Sequence, residues 1–552
     1  MKITAIPQFA RNAARATEVL TILSKYGMAD WISRMNIRFI KGIFNWGSRT
    51  DLANRTTDAR IRLAMAELGT TFIKLGQVLS TRTDLVGASL ATELSKLQAN
   101  VPAGPASGVR AIIAHELGKP VEELFAHFDD APLASASIAQ VHSATLKDGS
   151  PVAVKVQHPR IAERIRNDLD ILAGLAELAE KYIDEIRPYQ PRGVVREFER
   201  MLVRELDFGR ELRNLQRFIE NFSDDSSVRF PKPYPDLSTS KVLVMERLEG
   251  RTVAEIGGGG AGGEGEQIAK LGARVFLEMI FRDGFYHADP HPGNLLILPS
   301  GAIGILDVGM VSQLTPALRE DMEDLLMAIG ANNPEQLVAV MLRLCGSTGI
   351  REPAGFGADV ADFIGYYQGQ RLDRIDISKL LTEITEIIRC HQLVMPTSFA
   401  MLLRVLIVLE GTSRLLHPQF KLAEVIEPFQ KKMIAERVSP MRQVRRLRAA
   451  VVDWQDLTAK LPNQLRDMIQ RIQTGRIEVQ LEHHHLEPSV NRIVLGLITA
   501  ALILGSSIMW ALKAPPTFSG DISVIAVLGF TASIFSSALL ARSVWRSGHF
   551  DG

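Results

Sequence analysis

Two cysteines, Cys345 and Cys390, are all that 552 residues carry, so neither a disulfide framework nor a cysteine-based zinc or iron–sulfur cluster is expected. Neither sign of charge is in excess: 63 Lys and Arg stand against 62 Asp and Glu. That balance gives no reason to expect a nucleic-acid partner, whose phosphates call for a basic surface. Met1 to Thr17 is broken by polar and basic side chains and has no continuous apolar stretch before a small-residue cleavage site, so no secretory signal is read there. A main body in a reducing, cytoplasmic setting is expected. Apolar residues are plentiful, at 46%, which excludes a disordered protein, and the length exceeds one ordinary core, so two lobes with added helical layers are expected.

Two uncharged runs lie near the C-terminus. Ile493 to Leu512, between Arg492 and Lys513, holds twenty residues and at ~1.5 Å each reaches about 30 Å, the thickness of a bilayer's hydrocarbon. Ile522 to Ala541 follows a short segment with Pro515, Pro516 and Gly520, so two antiparallel spanning helices are expected. Arg492 before the first run and Arg542 and Arg546 after the second outweigh Lys513 and Asp521 in the loop, which puts both ends of the hairpin on the cytoplasmic side. Gly529, Ser533 and Ser537 recur every fourth residue, as do Ala501 and Gly505. This spacing either lets the two backbones approach closely or leaves small residues against lipid.

Upstream, Arg11, Arg15 and Lys25 mix with Phe9, Leu20, Leu23 and Trp31 in an amphipathic pattern, suited to a membrane surface or, more commonly, to packing on the main body. From Asp58 to Leu97 apolar residues recur at helical spacing, which places Lys74 and Gln77 on one face, with Gly76, a poor mid-helix residue, between them. Pro151 to Gln157 alternates as a strand, Val152, Val154 and Val156 to one side and Ala153 and Lys155 to the other, and Lys241 to Glu246 reads as a second strand. Gly257 to Gly265, nearly all glycine, is expected as a loop. Gln267 to Phe285 reads as a helix, Leu295–Leu298 and Ala302–Leu306 as short strands, and residues 315 to 435 as helical throughout. Arg442, Arg445, Arg446 and Arg448 open a basic segment running to Arg471, which suits either anionic lipid or a solvated helix face.

Three motifs then follow one another in the order that phosphoryl transfer from ATP requires: a cation for the phosphates, a carboxylate near the acceptor, and oxygen ligands for Mg2+. Lys155 ends Val152-Ala153-Val154-Lys155, the strand motif whose lysine meets the α- and β-phosphates in protein kinases. Asp289 and Asn294 stand five residues apart in His287-Ala288-Asp289-Pro290-His291-Pro292-Gly293-Asn294. That is the spacing of the kinase catalytic loop, with Asp289 to accept or orient a hydroxyl proton and Asn294 to hold Mg2+. Asp307-Val308-Gly309 comes after two short strands and makes Asp307 the principal Mg2+ ligand, with Val in place of the usual Phe. A strand lysine alone is usually a surface residue, but the three matches in order and in context are hard to obtain by chance. His287 and His291 flank Asp289 without further converging ligands, so loop-stabilising hydrogen bonds are expected of them rather than zinc. His483 to His485 are expected on an exposed strand or turn.

With these motifs, the stretch from about Leu63 to Leu415, together with the terminal hairpin, resembles the UbiB/AarF/ADCK family of atypical protein-kinase-like proteins. Features absent from ordinary kinases carry the resemblance. Lys74-Leu75-Gly76-Gln77 looks like the family's KxGQ motif, in a helical extension that folds over the place where a kinase receives a peptide, so protein substrates should be hindered. Ala134-Ser135-Ala136-Ser137-Ile138-Ala139-Gln140-Val141-His142 stands where kinases have their glycine-rich loop and resembles the family's Ala-rich loop; Ser135 takes the place of a common Ala, which leaves nucleotide preference open. Glu205-Leu206-Asp207 is similar to the ExD motif, and the resemblance implies that Glu205 and Asp207 face Lys74 and that Glu211 pairs with Lys155. His287-Ala288-Asp289 replaces His-Arg-Asp, which removes the usual partner of an activation-loop phosphate.

The resemblance implies an α+β, bilobal protein-kinase-like fold with an N-terminal helical extension and a C-terminal two-helix transmembrane hairpin. Its expected divisions are an N-terminal helical segment (1–57), the KxGQ extension (58–125), an N-lobe (126–248), a C-lobe (249–435), a basic amphipathic linker (436–490) and the hairpin (491–552), with spans at 493–512 and 522–541. It implies ATP and Mg2+ as cofactors, with ATP contacts from Ala134 through Val141, Lys155, Glu211 and the hinge residues Glu246 and Leu248. The expected activity is that of a membrane-anchored kinase-like ATPase or phosphotransferase supporting ubiquinone biosynthesis at the inner membrane. Expected partners are membrane lipid, quinone precursors or another lipid-like small molecule, ubiquinone-biosynthesis enzymes and a second copy of the chain as a homodimer. A non-catalytic nucleotide-binding scaffold and a true protein kinase are the competing readings. No Gly-x-Gly-x-x-Gly turn after an early strand supports an oxidoreductase.

Overall fold

The structure, a computed structural model, describes residues 12–28, 55–97, 104–257, 263–345, 353–367, 376–429, 486–518 and 522–545. The basic segment from Arg442 to Arg471 and His483 to His485 lie outside the described residues. The chain divides into two units, residues 1–442 and 443–552.

In the first unit, helices α1 (Ala13–Lys25), α2 (Thr57–Leu68), α3 (Thr70–Leu79), α4 (Thr83–Leu94) and α5 (Ala106–Leu117) precede the first strand. The helical periodicity from Asp58 to Leu97 is therefore cut into three pieces. Gly69, at φ +94°, adopts a backbone that L side chains resist and separates α2 from α3. Gly76 sits inside α3 because there is no room for more: a Cβ there would stand 2.3 Å from Leu97 Cδ1 and 2.9 Å from Met65 Sδ. Helix α1 packs on the main body, with Val19 and Leu20 buried beside Phe72 and Leu75 of α3. Arg15 Nε donates to buried Asp168 at 2.8 Å, and Asp168 also accepts from Thr71 Oγ1 at 2.6 Å.

Next come β1 (Phe125–Ser135), β2 (Ala139–Leu146), β3 (Pro151–Gln157), α6 (Ile161–Tyr182), α7 (Pro191–Glu205), α8 (Phe208–Asn221), β4 (Val228–Arg229) and β5 (Val242–Glu246). Strands β1, β2, β3 and β5 form an antiparallel sheet in that order. The alternation of β3 is realised as expected. Val152, Val154 and Val156 share a core with Val109 and Ile113 of α5, whereas Ala153 belongs to the opposite core with Phe208 and Leu215 of α8. Lys155 has the parity of Ala153 and so projects toward α8.

The remainder of the unit runs through β6 (Arg251–Thr252), α9 (Gly263–Leu277), β7 (Phe285–His287), β8 (Leu295–Ile297), β9 (Ile303–Ile305) and β10 (Val311–Gln313) into α10 (Pro316–Gly330), α11 (Pro334–Cys345), α12 (Pro353–Tyr367), α13 (Ile377–Cys390) and α14 (Thr397–Leu416). The glycine run is a loop only in part. Gly257 closes a short helix and Gly263 opens α9, since glycine is tolerated at helix ends, and residues 258–262 lie outside the described residues. Phe285 belongs to β7 rather than to the preceding helix, because Gly284 turns the chain at φ +60°. Helix α14 buries Phe399, Leu402, Leu403 and Leu406 in the core of this helical lobe.

In the second unit, α15 (Leu486–Ala511) and α16 (Val524–Trp545) pack on each other, joined through two paired two-residue strands. Thr499 and Ser536 share a 2.7 Å hydrogen bond, and a Cβ on Gly529 would stand 2.1 Å from Ser506 Oγ. The contact therefore uses Thr499 and Ser506 against Gly529, Ser533 and Ser536, while Ala501, Gly505 and Ser537 of the expected stripe are exposed. Every-fourth spacing drifts around a 3.6-residue helix, and spacing by seven stays on one side. Among the described residues one helix, over Val494–Ala511, is long and apolar enough to cross a membrane; the apolar part of α16, Val524–Leu540, is shorter.

Candidate functional site

Lys155 enters the site from β3, and its partner comes from the first turn of α8. Asp207 caps that helix, its Oδ1 accepting from Gly209 N at 3.0 Å, which fixes the turn carrying Glu211. Lys155 Nζ then lies 2.8 and 2.9 Å from the two oxygens of Glu211 and 3.3 Å from Asp307 Oδ2. Lys74 from α3 makes an ion pair with Glu205 at the end of α7. Asp207 does not join that pair. Its cap bond and a 3.7 Å approach by Arg213 occupy it instead, correcting the expectation that it faces Lys74.

The turn after β9 positions Asp307. Its Oδ1 accepts from Gly309 N at 2.8 Å, and Asn214 Nδ2 of α8 donates to the Val308 carbonyl at 3.0 Å, tying this turn to the helix that carries Glu211. Val308, where an ordinary kinase has Phe, is fully buried. His287 joins the two halves of the site. Its Nδ1 accepts from Asp289 N at 2.9 Å, so the ring proton sits on Nε2 and donates to the Asp307 carbonyl. Burial lowers the His287 pKa against the pull of Asp289 and Asp307, and the neutral ring suits both bonds. His291 Nδ1 accepts from Gly293 N at 3.2 Å and caps the turn that presents Asn294. Both histidines therefore stabilise the loop.

The charges are unevenly set. Burial opposes the ammonium of Lys155, but Asp307 and Glu211 outweigh it and raise its pKa. Burial likewise works against the Asp307 carboxylate, yet Lys155 and the Gly309 N–H hold it below the usual carboxylate range. Glu211 is pushed up to about 7, first by burial and then, against the pull of Lys155, by Asp307.

The turn between β1 and β2 closes the site from above, and it is tied down. Ala136 N donates to the Ala139 carbonyl at 2.8 Å, His158 N donates to the Ile138 carbonyl at 2.9 Å, and the His158 ring reaches the Ala136 carbonyl at 2.9 Å. Ile138 is buried in the same core as Phe72 and Leu75 of α3, so the helical extension pins the loop.

A cavity of about 100 Å3 results, lined by Lys74, Ala136, Ser137, Ile138, Ala139, Lys155, Glu205, Glu211, Asp289, Asn294 and Asp307 among others. Other residues expected at the nucleotide lie outside it. Ala134 and Ser135 end β1, Val141 is in β2, and Gln140 is buried with its Oε1 accepting from Gly104 N at 3.1 Å. Glu246 pairs with Arg229 at 2.6 Å, and Leu248 packs near Leu296 and Leu298. Gln77 donates to the Leu97 carbonyl at 3.2 Å and so fixes the extension rather than touching the cavity.

Arg404 is a residue the motifs did not reveal. From α14 its Nη2 stands 3.5 Å from Asp289 Oδ1, and nothing local in the sequence marks it. The donor set suits Mg2+, a hard cation that takes oxygen ligands: Asp307 is ionised, Asn294 adds an amide oxygen, and both line one cavity. Among the described residues no three His, Cys, Asp or Glu side chains gather as a metal cage. Mg2+ usually keeps waters and nucleotide phosphates among its ligands, so one or two protein ligands suffice.

Three family models match the chain: the ABC1 atypical kinase-like domain over residues 96–341, the UbiB helical domain over 360–421 and the ABC1/UbiB kinase-like C-terminal domain over 479–546. A Clostridium pasteurianum protein, described as uncharacterized and in the hydrogenase 1 5' region, is 30% identical over 97% of this chain and 99% of its own. Proteins named probable protein kinase UbiB are similar too: that of Shewanella loihica is 30% identical over 83% of this chain and 85% of its own, and that of Marinobacter nauticus 32% over 76% and 78%. A solved structure of Rv3197 with erythromycin, from Mycobacterium tuberculosis, is 26% identical and aligns with a TM-score of 0.42 over 64% of this chain and 90% of that one.

Proposed function

Because this chain belongs to the ABC1/UbiB family of atypical kinase-like proteins, we propose that it is a membrane-anchored, Mg-ATP-dependent kinase or ATPase that supports ubiquinone biosynthesis by acting on or presenting lipid-like quinone intermediates. The observation that carries this reading is Lys155 held between Glu211 and Asp307 in a cavity that also receives Asp289 and Asn294. Mg-ATP bound there supplies the transferable phosphoryl group. Lys155 holds the phosphates, Asp307 and Asn294 hold the metal, and Asp289 orients the attacking hydroxyl or water. Lys74 reaches the same cavity from the extension, which favours a small acceptor over a folded protein.

Attachment to a membrane is supported by the apolar window Val494–Ala511 and by side chains such as Leu497, Leu504, Ile534 and Phe535, each more than 60% exposed. Apolar surface so displayed calls for a nonaqueous surrounding. We place both ends of the two-helix anchor in the cytoplasm, beside a bilayer in which prenylated quinone precursors dissolve.

Complementation of a quinone-deficient strain tests the reading. Lys155→Ala and a chain lacking residues 486–552 should both fail, the truncated chain while still binding Mg-ATP. Complementation by the truncated chain would overturn the membrane part, and complementation by Asp289→Asn would turn the protein into a nucleotide-binding scaffold.

A further inference from the structure

Beside the nucleotide cavity lies a larger crevice of about 600 Å3, which shares Glu205, Glu211, Gly309 and Met310 with it. Its walls are α7, α8, the stretch Gly309–Gln313 and the first turns of α14. Five arginines and four carboxylates line it, and the carboxylates are engaged: Glu205 by Lys74, Glu211 by Lys155, Asp207 as the cap of α8, and exposed Glu197 by a 4.0 Å approach of Arg82. Arg82 is engaged as well, paired with Asp84 at 2.8 Å. Arg200 and Arg204, four residues apart on α7, and Arg210 on the facing α8 have no carboxylate partner among the described residues. Arg217 stacks its guanidinium 4.0 Å from the centre of the Phe285 ring.

Arginines lining one crevice without a carboxylate partner of their own offer a bound anion charge-assisted, often bidentate hydrogen bonds. Apolar, adaptable side chains share the lining with polar ones such as Asn214 and Gln313, among them Phe198, Met201, Phe285, Met310 and Met401. A crevice of this size fits a molecule of a few tens of atoms.

We infer that this crevice binds an anionic amphiphile, a phosphate- or carboxylate-bearing molecule with an apolar tail. Arg200, Arg204 and Arg210 take the anion, and Phe198, Met201 and Met401 take the tail. The crevice opens beside Gly309 and Met310, next to the cavity with Asp289, so the occupant is placed where an acceptor or an activator would act. Only that last role rests on the functional reading above; the binding site stands on the crevice itself.

Calorimetric titration of the full-length protein in nanodiscs of phosphatidylcholine tests this, with octyl phosphate below its micelle concentration as probe and inorganic phosphate and octanol as comparisons. Octyl phosphate should bind at least about tenfold more tightly than either comparison, and Arg204→Gln with Arg210→Gln should weaken it by about tenfold or more. A thermal unfolding curve for the double variant that overlays the native one shows that the fold is kept. Equal affinity in native and double variant overturns the inference. So does inorganic phosphate binding as tightly as octyl phosphate, which would mark a plain anion site, and so does displacement by an aspartate-rich peptide that binds more tightly, which would mark a protein partner. Mg-ATP binding by the native protein is titrated in parallel. Its absence would count against the functional reading alone, whatever octyl phosphate does.

Discussion

Asp289 stands apart from the trio of Lys155, Glu211 and Asp307, and its carboxylate is approached by Arg404 at 3.5 Å. The ordinary His-Arg-Asp loop has its own arginine; here Ala288 is buried and the cation arrives from α14. Arg404→Ala should leave Mg-ATP affinity within about twofold and lower turnover by about tenfold, the scale of one charged hydrogen bond. Separate measurement of nucleotide affinity and kcat decides this; an equal loss of both would show that Arg404 acts on the nucleotide. Lys155, Asp289, Asn294 and Asp307 were legible in the sequence because each is set by the spacing of one strand or one loop. Arg404 was not, since its 115-residue separation from Asp289 leaves no local pattern. Asp207 was misplaced because its motif drew attention away from its position before a helix, where an Asp is an ordinary N-cap.

Helix α4 and the turn before it couple the extension to the C-lobe through one buried pair. Arg82 is 5% and Asp84 0% exposed, and their side chains also engage the Met395 carbonyl at 3.0 Å, Thr397 Oγ1 at 3.0 Å and Met395 N at 3.3 Å. Arg82→Ala strands a buried carboxylate, so it should destabilise the first unit by about 3–5 kcal/mol, whereas an exposed pair such as Lys96–Glu93 should matter little. Chemical denaturation checks both. Two glycines separate side-chain crowding from backbone crowding. At Gly250 a Cβ would stand 2.6 Å from the carbonyl oxygen of Ile297 in the paired strand β8, which cannot swing aside, so Gly250→Ala should cost about 1–3 kcal/mol. At Gly76 the obstacles are the ends of Leu97 and Met65, and Ala regains about 1 kcal/mol of helix propensity, so that substitution should cost less. Equal losses in thermal unfolding would contradict the argument. Helix periodicity was readable here, but the breaks were not, because Gly69 and the turn at Arg82 answer to tertiary packing rather than to composition.

Across the molecule, a nucleotide site in the first unit and an apolar helix pair in the second were both visible as patterns in the chain, the first as ordered motifs and the second as uncharged runs. The face on which α15 and α16 meet was not, since small residues at regular spacing do not say which side of a helix they serve. Nor was the pinned loop, because the burial of Ile138 depends on α3, more than 50 residues earlier. A clamped loop over a compact cavity, with Lys74 reaching in, is the feature on which the proposed Mg-ATP-dependent activity toward a small acceptor rests. Mg-dependent ATP hydrolysis by the purified full-length protein, with and without phospholipid vesicles, in native form and as Asp307→Asn, tests that account most directly. Hydrolysis that rises with vesicles and disappears in the variant is the predicted result. Hydrolysis that persists undiminished in Asp307→Asn would contradict it.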